Sequence, residues 1–137
     1  MSKSDKDVKS RIELIDPPEV IREKIKKAVT DAHASISYNP EKRPGVSNLI
    51  EIHSACVDKL PEEIVEDCLL QALNKSSYKE IVSDSLIETL KPIRKKYLDL
   101  VNDKVYLNKI INESTNKANE IAAKNYDKIR EIVGFEF

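Results

Sequence analysis

The sequence predicts an all-α protein, a helical bundle preceded by a loop and a short extended segment. Apolar residues recur at steps of three and four along most of the chain, as they do on the buried face of a helix. The 137 residues include only two glycines and no tryptophan, with 40% hydrophobic and 34% charged residues. This composition favours a soluble helical protein over a β-sandwich or a membrane span.

The first helix follows a short lead-in. Residues 11–15 alternate apolar and polar side chains, which predicts a strand or extended segment. Asp16 is suited to cap the helix and Pro17 to occupy its first position. One face then carries Ile21, Ile25, Ala28 and Val29. The opposite face is basic, which is typical of a solvated surface, although a contact with a phosphate backbone is the alternative.

The second helix comes after a long irregular segment, residues 33–44, whose prolines and Asn39 indicate turns. Ser47 is the expected cap. The apolar face that follows is wide enough to place this helix at the centre of the bundle, with Val46, Leu49, Ile50, His53 and Val57. His53 within that face is expected to be a core or interface residue rather than a metal ligand.

The remaining elements are also helical. Pro61 interrupts the chain, and Glu62 and Glu63 suit the first turn of the next helix. Ser76 or Ser77 is expected to cap the longest helix, in which Pro92 predicts a kink. A short helix and a final helix follow, the last ending at Gly134. The prediction is therefore five or six helices.

Several function classes find no support in the residues. No G-x-G-x-x-G or P-loop motif occurs, and the net charge of -1 does not indicate a general nucleic-acid binder. Cys56 and Cys68 lack zinc spacing with the two histidines, so no metal site is expected. No nucleophile and base are paired, and neither a membrane-length apolar run nor a targeting segment is present.

The opening residues, Met1, Ser2, Lys3 and Ser4, are the one candidate for phosphate chemistry. An ammonium between two hydroxyls can hold a phosphate through charge and hydrogen bonds. Short termini of this composition are more commonly solvated and disordered. The residues alone therefore indicate a helical module with an optional phosphate-binding loop.

Five segments together resemble the C-terminal part of the tryptophanyl-tRNA synthetases, which are class I aminoacyl-tRNA synthetases. Met1 to Ser4 resemble the last four letters of the signature KMSKS. The other segments are Ala28-Val29-Thr30-Asp31, Arg43-Pro44-Gly45-Val46-Ser47-Asn48-Leu49, Leu90-Lys91-Pro92-Ile93 and Lys117-Ala118-Asn119, with Tyr38 between the first two. The resemblance covers essentially the whole chain. The ending Val133-Gly134-Phe135 is more similar to mitochondrial members than to bacterial ones.

The resemblance implies two parts. Residues 1–16 would be the remnant of the ATP loop and its lead-in, and residues 17–137 the helical tRNA-binding domain. Lys3 would be the catalytic residue that holds the leaving pyrophosphate, with Met1, Ser2 and Ser4 completing the ATP-phosphate loop. In the helical domain, Arg94, Lys95 and Lys96 are candidates for tRNA contact. A solvated helix face is the commoner interpretation of such charged residues.

The same resemblance implies the partners. These would be tRNA-Trp, ATP with Mg as substrate, and tryptophan, in a homodimeric ligase of the mitochondrial matrix or, alternatively, the cytoplasm. The first lysine of the signature and the nucleotide-binding fold are missing from this sequence, so a truncated product is expected that is inactive alone. The alternatives are a free-standing helical RNA-binding or interaction module and a generic helical scaffold.

Overall fold

The computed structural model describes residues 10–135 and consists of five helices in this range: α1 (Pro18–Lys27), α2 (Pro44–Val57), α3 (Pro61–Leu70), α4 (Lys75–Asn102) and α5 (Lys104–Val133). No strand occurs among these residues. The predicted all-α class is therefore confirmed. The division at residue 16 into two parts stays a prediction.

The lead-in forms a turn instead of a strand. The backbone N–H of Asp16 donates to the carbonyl of Glu13, and the Asp16 carboxylate accepts from the backbone N–H of Glu13 at 2.9 Å. Because this reciprocal bonding uses the Asp16 side chain, Asp16 does not cap α1 as predicted. Pro17 occupies the cap position, without a side-chain hydrogen bond.

Two other caps also differ from the predictions. The α2 helix begins earlier than expected, at Pro44, so Ser47 lies inside the helix, where its Oγ accepts from the backbone N–H of Asn39. Asn74 takes the role expected of Ser76 or Ser77, because its Oδ1 accepts from the N–H of Ser77 at 2.9 Å. The two acids after Pro61 do lie in the first turn of α3, as predicted.

The chain divides after Lys95 into two compact units. The first has an apolar core, to which α1, the irregular segment after it, α2, α3 and the part of α4 up to Leu90 contribute. Its buried apolar residues are Ile21, Ile25, Ile36, Val46, Leu49, Ile50, Ile64, Cys68, Tyr78, Val82 and Leu90. Val29, predicted on the buried face of α1, is 87% exposed because the helix ends at Lys27.

The second unit contains the end of α4 and the whole of α5. Two helices were predicted where α5 forms one helix of 30 residues. The polar residues 112–117 separate its apolar groups, but they include neither glycine nor proline, so the helix continues through them. Asp103 caps its start and Gly134 ends it with a φ of 78°, as predicted for this glycine. No α5 residue is buried.

Helix α4 continues through Pro92 without interruption. No helix among residues 10–135 is both long enough and apolar enough to cross a membrane.

Replacing Ile50 with alanine should lower the free energy of unfolding by about 2–5 kcal/mol, because Ile50 is fully buried in the core. The matched control is Ile132→Ala, which removes the same atoms from a side chain that is 84% exposed and should change stability by less than about 0.5 kcal/mol. Urea unfolding followed by circular dichroism measures both. Equal losses in the two variants would contradict this account of the core.

Candidate functional site

The two segments that carry most of the family resemblance, residues 28–31 and 43–49, meet in an ion pair. Arg43 donates from Nε to Oδ2 of Asp31 at 2.8 Å and from Nη2 to Oδ1 at 2.9 Å. The two side chains therefore pair in the bidentate geometry that makes guanidinium–carboxylate contacts strong and directional. We call residues 28–31 and 43–49, together with the residues that contact them, the junction.

Arg43 also closes the loop that connects the two segments. Its guanidinium donates to the carbonyl of Ser35 at 2.8 Å and to Oγ of Ser37 at 2.5 Å. Arg43 is only 9% exposed, and these acceptors surround its charge. Hydrogen bonding to Asp31 raises the pKa of Arg43 above its usual value, so this side chain stays charged.

Two lysines of α4 extend the junction. Lys75 donates to the backbone carbonyl of Asp31 and lies 3.9 Å from its carboxylate. Lys79 donates to the carbonyls of Ala28 at 2.7 Å and Lys26 at 3.2 Å, at the C-terminal end of α1. Cations are stabilising there because the helix dipole places negative charge at that end. These lysines are therefore committed to structure and are poor candidates for binding an external phosphate.

Gly45 allows the closest backbone approach in the junction. A Cβ atom placed on Gly45 would lie 2.3 Å from the carbonyl oxygen of Val29. No side chain fits at that distance, and the obstacle is backbone, which cannot rotate away. Glycine is thus required for the start of α2 to pack against residue 29.

The lead-in is bonded to α1. Lys24 of α1 donates to the carboxylate of Asp16 at 2.6 Å, and both side chains are largely buried. Ser10, Arg11 and Ile12 line a groove of about 610 Å³ together with residues of α1 and α2.

The four predicted loop residues, Met1, Ser2, Lys3 and Ser4, lie outside the described residues, so their predicted role is not tested.

The three predicted tRNA-contacting residues follow one another on α4. Lys95 and Lys96 are exposed and Arg94 is partly exposed, and none of the three has an ion-pair partner within residues 10–135. Successive residues of a helix are about 100° apart around its axis, so the three side chains do not share one face. Contact with RNA stays a prediction for them.

The cysteines and histidines do not assemble into a metal site in the described range. Cys56 and Cys68 are free thiols, and no group of three or more potential ligands is present among residues 10–135. His53 packs edge-on against the Tyr78 ring at 5.7 Å between centroids. This agrees with the predicted core or interface role of His53.

Sequence reasoning did not find the pairing of Asp31 with Arg43. The two residues are twelve positions apart across an irregular loop, and no helical or strand periodicity links them. The available signal was the resemblance itself, since Asp31 and Arg43 each belong to one of its segments. A charged residue of each sign in two such segments could have suggested an ion pair.

Comparison with known proteins places the chain among synthetases. The sequence profile of the family described as "tRNA synthetases class I (W and Y)" matches residues 1–91. The chain is 42% identical over 135 residues to the tryptophan–tRNA ligase of Rickettsia conorii, covering 98% of this chain and 40% of that protein. It is 42% identical over 136 residues to the mitochondrial tryptophan–tRNA ligase of Saccharomyces cerevisiae, covering 98% of this chain and 36% of that protein.

A solved structure is also similar. The tryptophanyl-tRNA synthetase of Mycoplasma pneumoniae superposes with a TM-score of 0.60 at 26% identity, covering 70% of this chain and 31% of that one. The chain thus spans about two fifths of the length of the curated relatives it matches.

The Asp31→Asn variant should make stability less dependent on pH between 4 and 2. The hydrogen bond from Arg43 lowers the Asp31 pKa from 3.8 to about 2, so the pair stabilises the fold fully above pH 4 and loses this contribution as pH falls through 2. Thermal unfolding midpoints should therefore differ most between wild type and variant at neutral pH and converge near pH 2. Asp127→Asn, on the exposed surface of α5, is the control and should follow the wild-type pH profile.

The Gly45→Ala variant should lose more stability than Gly134→Ala. Alanine at position 45 would overlap the Val29 carbonyl, whereas position 134 has no atom within 4 Å of a new Cβ and costs only the strain of its positive φ, about 1–2 kcal/mol. Chemical unfolding curves of both variants make the comparison. A Gly45→Ala protein as stable as wild type would show that the close approach is not real.

Proposed function

We propose the function of this chain from the family to which it belongs, the class I tRNA synthetases for tryptophan and tyrosine. The resemblance predicted from the sequence is confirmed, and its curated relatives at 35–42% identity are tryptophan–tRNA ligases. We propose that the chain supplies part of such a ligase, which activates tryptophan with ATP and transfers it to tRNA-Trp. In this role, residues 1–4 would form half of the ATP-phosphate loop and the helices would hold the tRNA.

The observation that supports this proposal most directly is the anchoring of the lead-in. The buried pair of Asp16 and Lys24 fixes the lead-in to α1, and the junction fixes the end of α1 to α2 and α4. Lys3 precedes Ser10 by seven positions in the sequence, and seven residues span at most about 25 Å. We propose that Lys3 meets the phosphates of a nucleotide within this reach.

Four cations in and near the junction are already bonded within the fold, and we propose Lys3 for the phosphate role from the family resemblance. Arg43, Lys75 and Lys79 are engaged with a carboxylate or with backbone carbonyls, and Lys24 is engaged with Asp16. Negative charge accumulates on the leaving pyrophosphate as the carboxylate of tryptophan attacks the α-phosphate of ATP. An ammonium that meets this charge in the transition state accelerates the step, because stabilisation that develops with the charge lowers the barrier. Ser2 and Ser4 would add neutral hydrogen-bond donors, and Mg would accompany ATP as part of the substrate.

The helical part is proposed to contact tRNA-Trp. Arg94, Lys95 and Lys96 are suitable for phosphate contacts because no ion pair within residues 10–135 occupies them. With a net charge of only -1, the chain has no broad positive field, so such contacts would act locally. We expect them to position the RNA rather than to select its sequence.

The chain alone is proposed to be inactive in tryptophan activation. Residues 10–135 contain no strand, and the sequence has only two glycines, so the described part offers no nucleotide-binding sheet with its glycine-rich turn. The homodimer expected for the full-length enzyme stays a prediction. The mitochondrial matrix is the proposed compartment, with the cytoplasm as the alternative, since relatives include both a mitochondrial ligase and bacterial ones.

A chimera tests the role of Lys3. The matching 136 residues of the Saccharomyces cerevisiae mitochondrial ligase would be replaced by this chain, and tryptophan-dependent ATP–pyrophosphate exchange measured. Lys3→Ala should lower kcat for exchange by about 100- to 1,000-fold, the usual effect of removing one group that stabilises transition-state charge. Lys6→Ala removes an equal charge three positions later and should leave exchange within about twofold.

The outcomes separate the hypotheses. Equal activity of the Lys3→Ala and Lys6→Ala chimeras would contradict the phosphate role of Lys3. An inactive but folded chimera, together with salt-sensitive binding of tRNA by the free chain, would favour the RNA-binding module instead. Exchange activity of the 137-residue chain alone would contradict its proposed inactivity.

A further inference from the structure

One cavity of the first unit, of about 180 Å³, lies between α2, α3 and α4. Its walls are largely apolar, and they include Val57, Ile64 and Ile81. Lys59 and Asp67 are the residues of opposite charge among its described lining residues, so an ammonium and a carboxylate stand beside an apolar space. An apolar pocket with a few convergent polar groups is the usual form of a small-ligand site.

Two rings complete the lining without adding charge. The Tyr78 hydroxyl lies 3.4 Å from Nδ1 of His53, and the rings meet edge to face at an angle of 62°. Burial raises the pKa of Tyr78 and lowers that of His53. Because both shifts favour the neutral form, both rings are neutral at pH 7. The charges that a ligand meets among the described lining residues are therefore those of Lys59 and Asp67.

The backbone around the charged pair is fixed. Lys59 donates from Nζ to Oδ2 of Asp67 at 2.6 Å, and both side chains are about half exposed. The Lys59 carbonyl accepts from Oγ of Ser54 at 2.5 Å. The next N–H, that of Leu60, donates to the Glu63 carboxylate at 2.8 Å. An ammonium and a carboxylate are therefore held side by side where a molecule from solvent can reach them.

The size of the cavity limits the apolar group that can enter it. A cavity of about 150 Å³ is known to accept benzene, so 180 Å³ accommodates one six-membered ring or a branched aliphatic side chain. A fused two-ring group such as indole is larger. Drug-sized ligands occupy pockets of about 300–1,000 Å³, so the ligand of this cavity is smaller than they are.

We propose that this cavity binds a free α-amino acid whose apolar side chain has at most one ring. The side chain enters the apolar space, the ligand carboxylate accepts from Lys59, and the ligand ammonium donates to Asp67. This site goes beyond the proposed function, because its ligand is bound without ATP or RNA.

The two charges of the ligand are the reason for this assignment. In an α-amino acid the ammonium and the carboxylate are attached to the same carbon, so they lie close together, as Nζ of Lys59 and Oδ2 of Asp67 do. Binding replaces one ion pair within the protein by two ion pairs between protein and ligand, which leaves no charge without a partner. A ligand with an amine alone or a carboxylate alone bonds to one member of the pair and forfeits the second charged contact.

Ligand titration followed by NMR on the full chain tests the proposal. His53 lines the cavity, and His33 in the irregular segment provides an internal reference for its ring signals. Phenylalanine should shift the His53 signals saturably and leave those of His33 unchanged. Two analogues should each bind about tenfold more weakly: 3-phenylpropanoate, which lacks the ammonium, and 2-phenylethylamine, which lacks the carboxylate. Equal binding of the three, or no shift with phenylalanine, would overturn the proposal.

A matched pair of variants locates the ammonium contact. Asp67→Asn should weaken phenylalanine binding about tenfold and remove the preference for phenylalanine over 3-phenylpropanoate, because the group that bonds the ammonium loses its charge. This variant should remain folded, since a half-exposed ion pair contributes little to stability. Glu66→Gln removes the same charge from the adjacent, exposed position of α3 and should leave binding of both ligands within about twofold. Equal weakening in the two variants would overturn the proposal.

Tryptophan tests the size of the site. Its fused second ring should make it bind at least about tenfold more weakly than phenylalanine, because forcing a larger group into a packed space is unfavourable. Tryptophan bound as tightly as phenylalanine would contradict the proposal.

The chimera described for Lys3 keeps this proposal separate from the proposed function. Exchange activity of the chimera, without any response of His53 to phenylalanine in the free chain, would overturn the amino-acid site and leave the proposed function standing. Saturable binding of phenylalanine with an inactive chimera would support the site and contradict the proposed function.

Discussion

The ion pair of Arg43 with Asp31 is the contact on which the arrangement of the first unit depends. It joins the end of the α1 segment to the start of α2 across an irregular loop that has no helix or strand to hold it. Burying a guanidinium is costly unless its donors are satisfied, and here a carboxylate, a carbonyl and a hydroxyl satisfy them. The pair therefore specifies one conformation of the loop, because any other would leave the Arg43 charge without partners.

The cations around this contact are also bonded within the fold. Lys79 donates to a carbonyl at the end of α1 and Lys75 to the carbonyl of Asp31, so both positive charges have partners within the fold. An anion arriving at this side of the bundle would have to compete with bonds already made.

Periodicity was enough to predict the helices but not their ends or their mutual contacts. The core residues Ile21, Ile25, Leu49 and Ile50 followed from spacing, because side chains three and four apart share a face. Asp16, Ser47 and either Ser76 or Ser77 were predicted as caps from their residue type. Asp16 instead accepts from Glu13 and Lys24, Ser47 accepts from Asn39, and Asn74 caps α4. The requirement for glycine at position 45 is seen only in the distance to the carbonyl oxygen of Val29. Such non-local contacts have no period, so sequence pattern alone does not reveal them.

The segments that identify the family most clearly are therefore structural. Residues 28–31 and 43–49 supply an ion pair, a close backbone approach and two core residues. Family membership established through such segments says how the bundle is built and which longer protein it resembles. It does not say which side chains meet a ligand. That question is tested at charged groups that the described fold leaves without an ion pair, such as Arg94, Lys95 and Lys96.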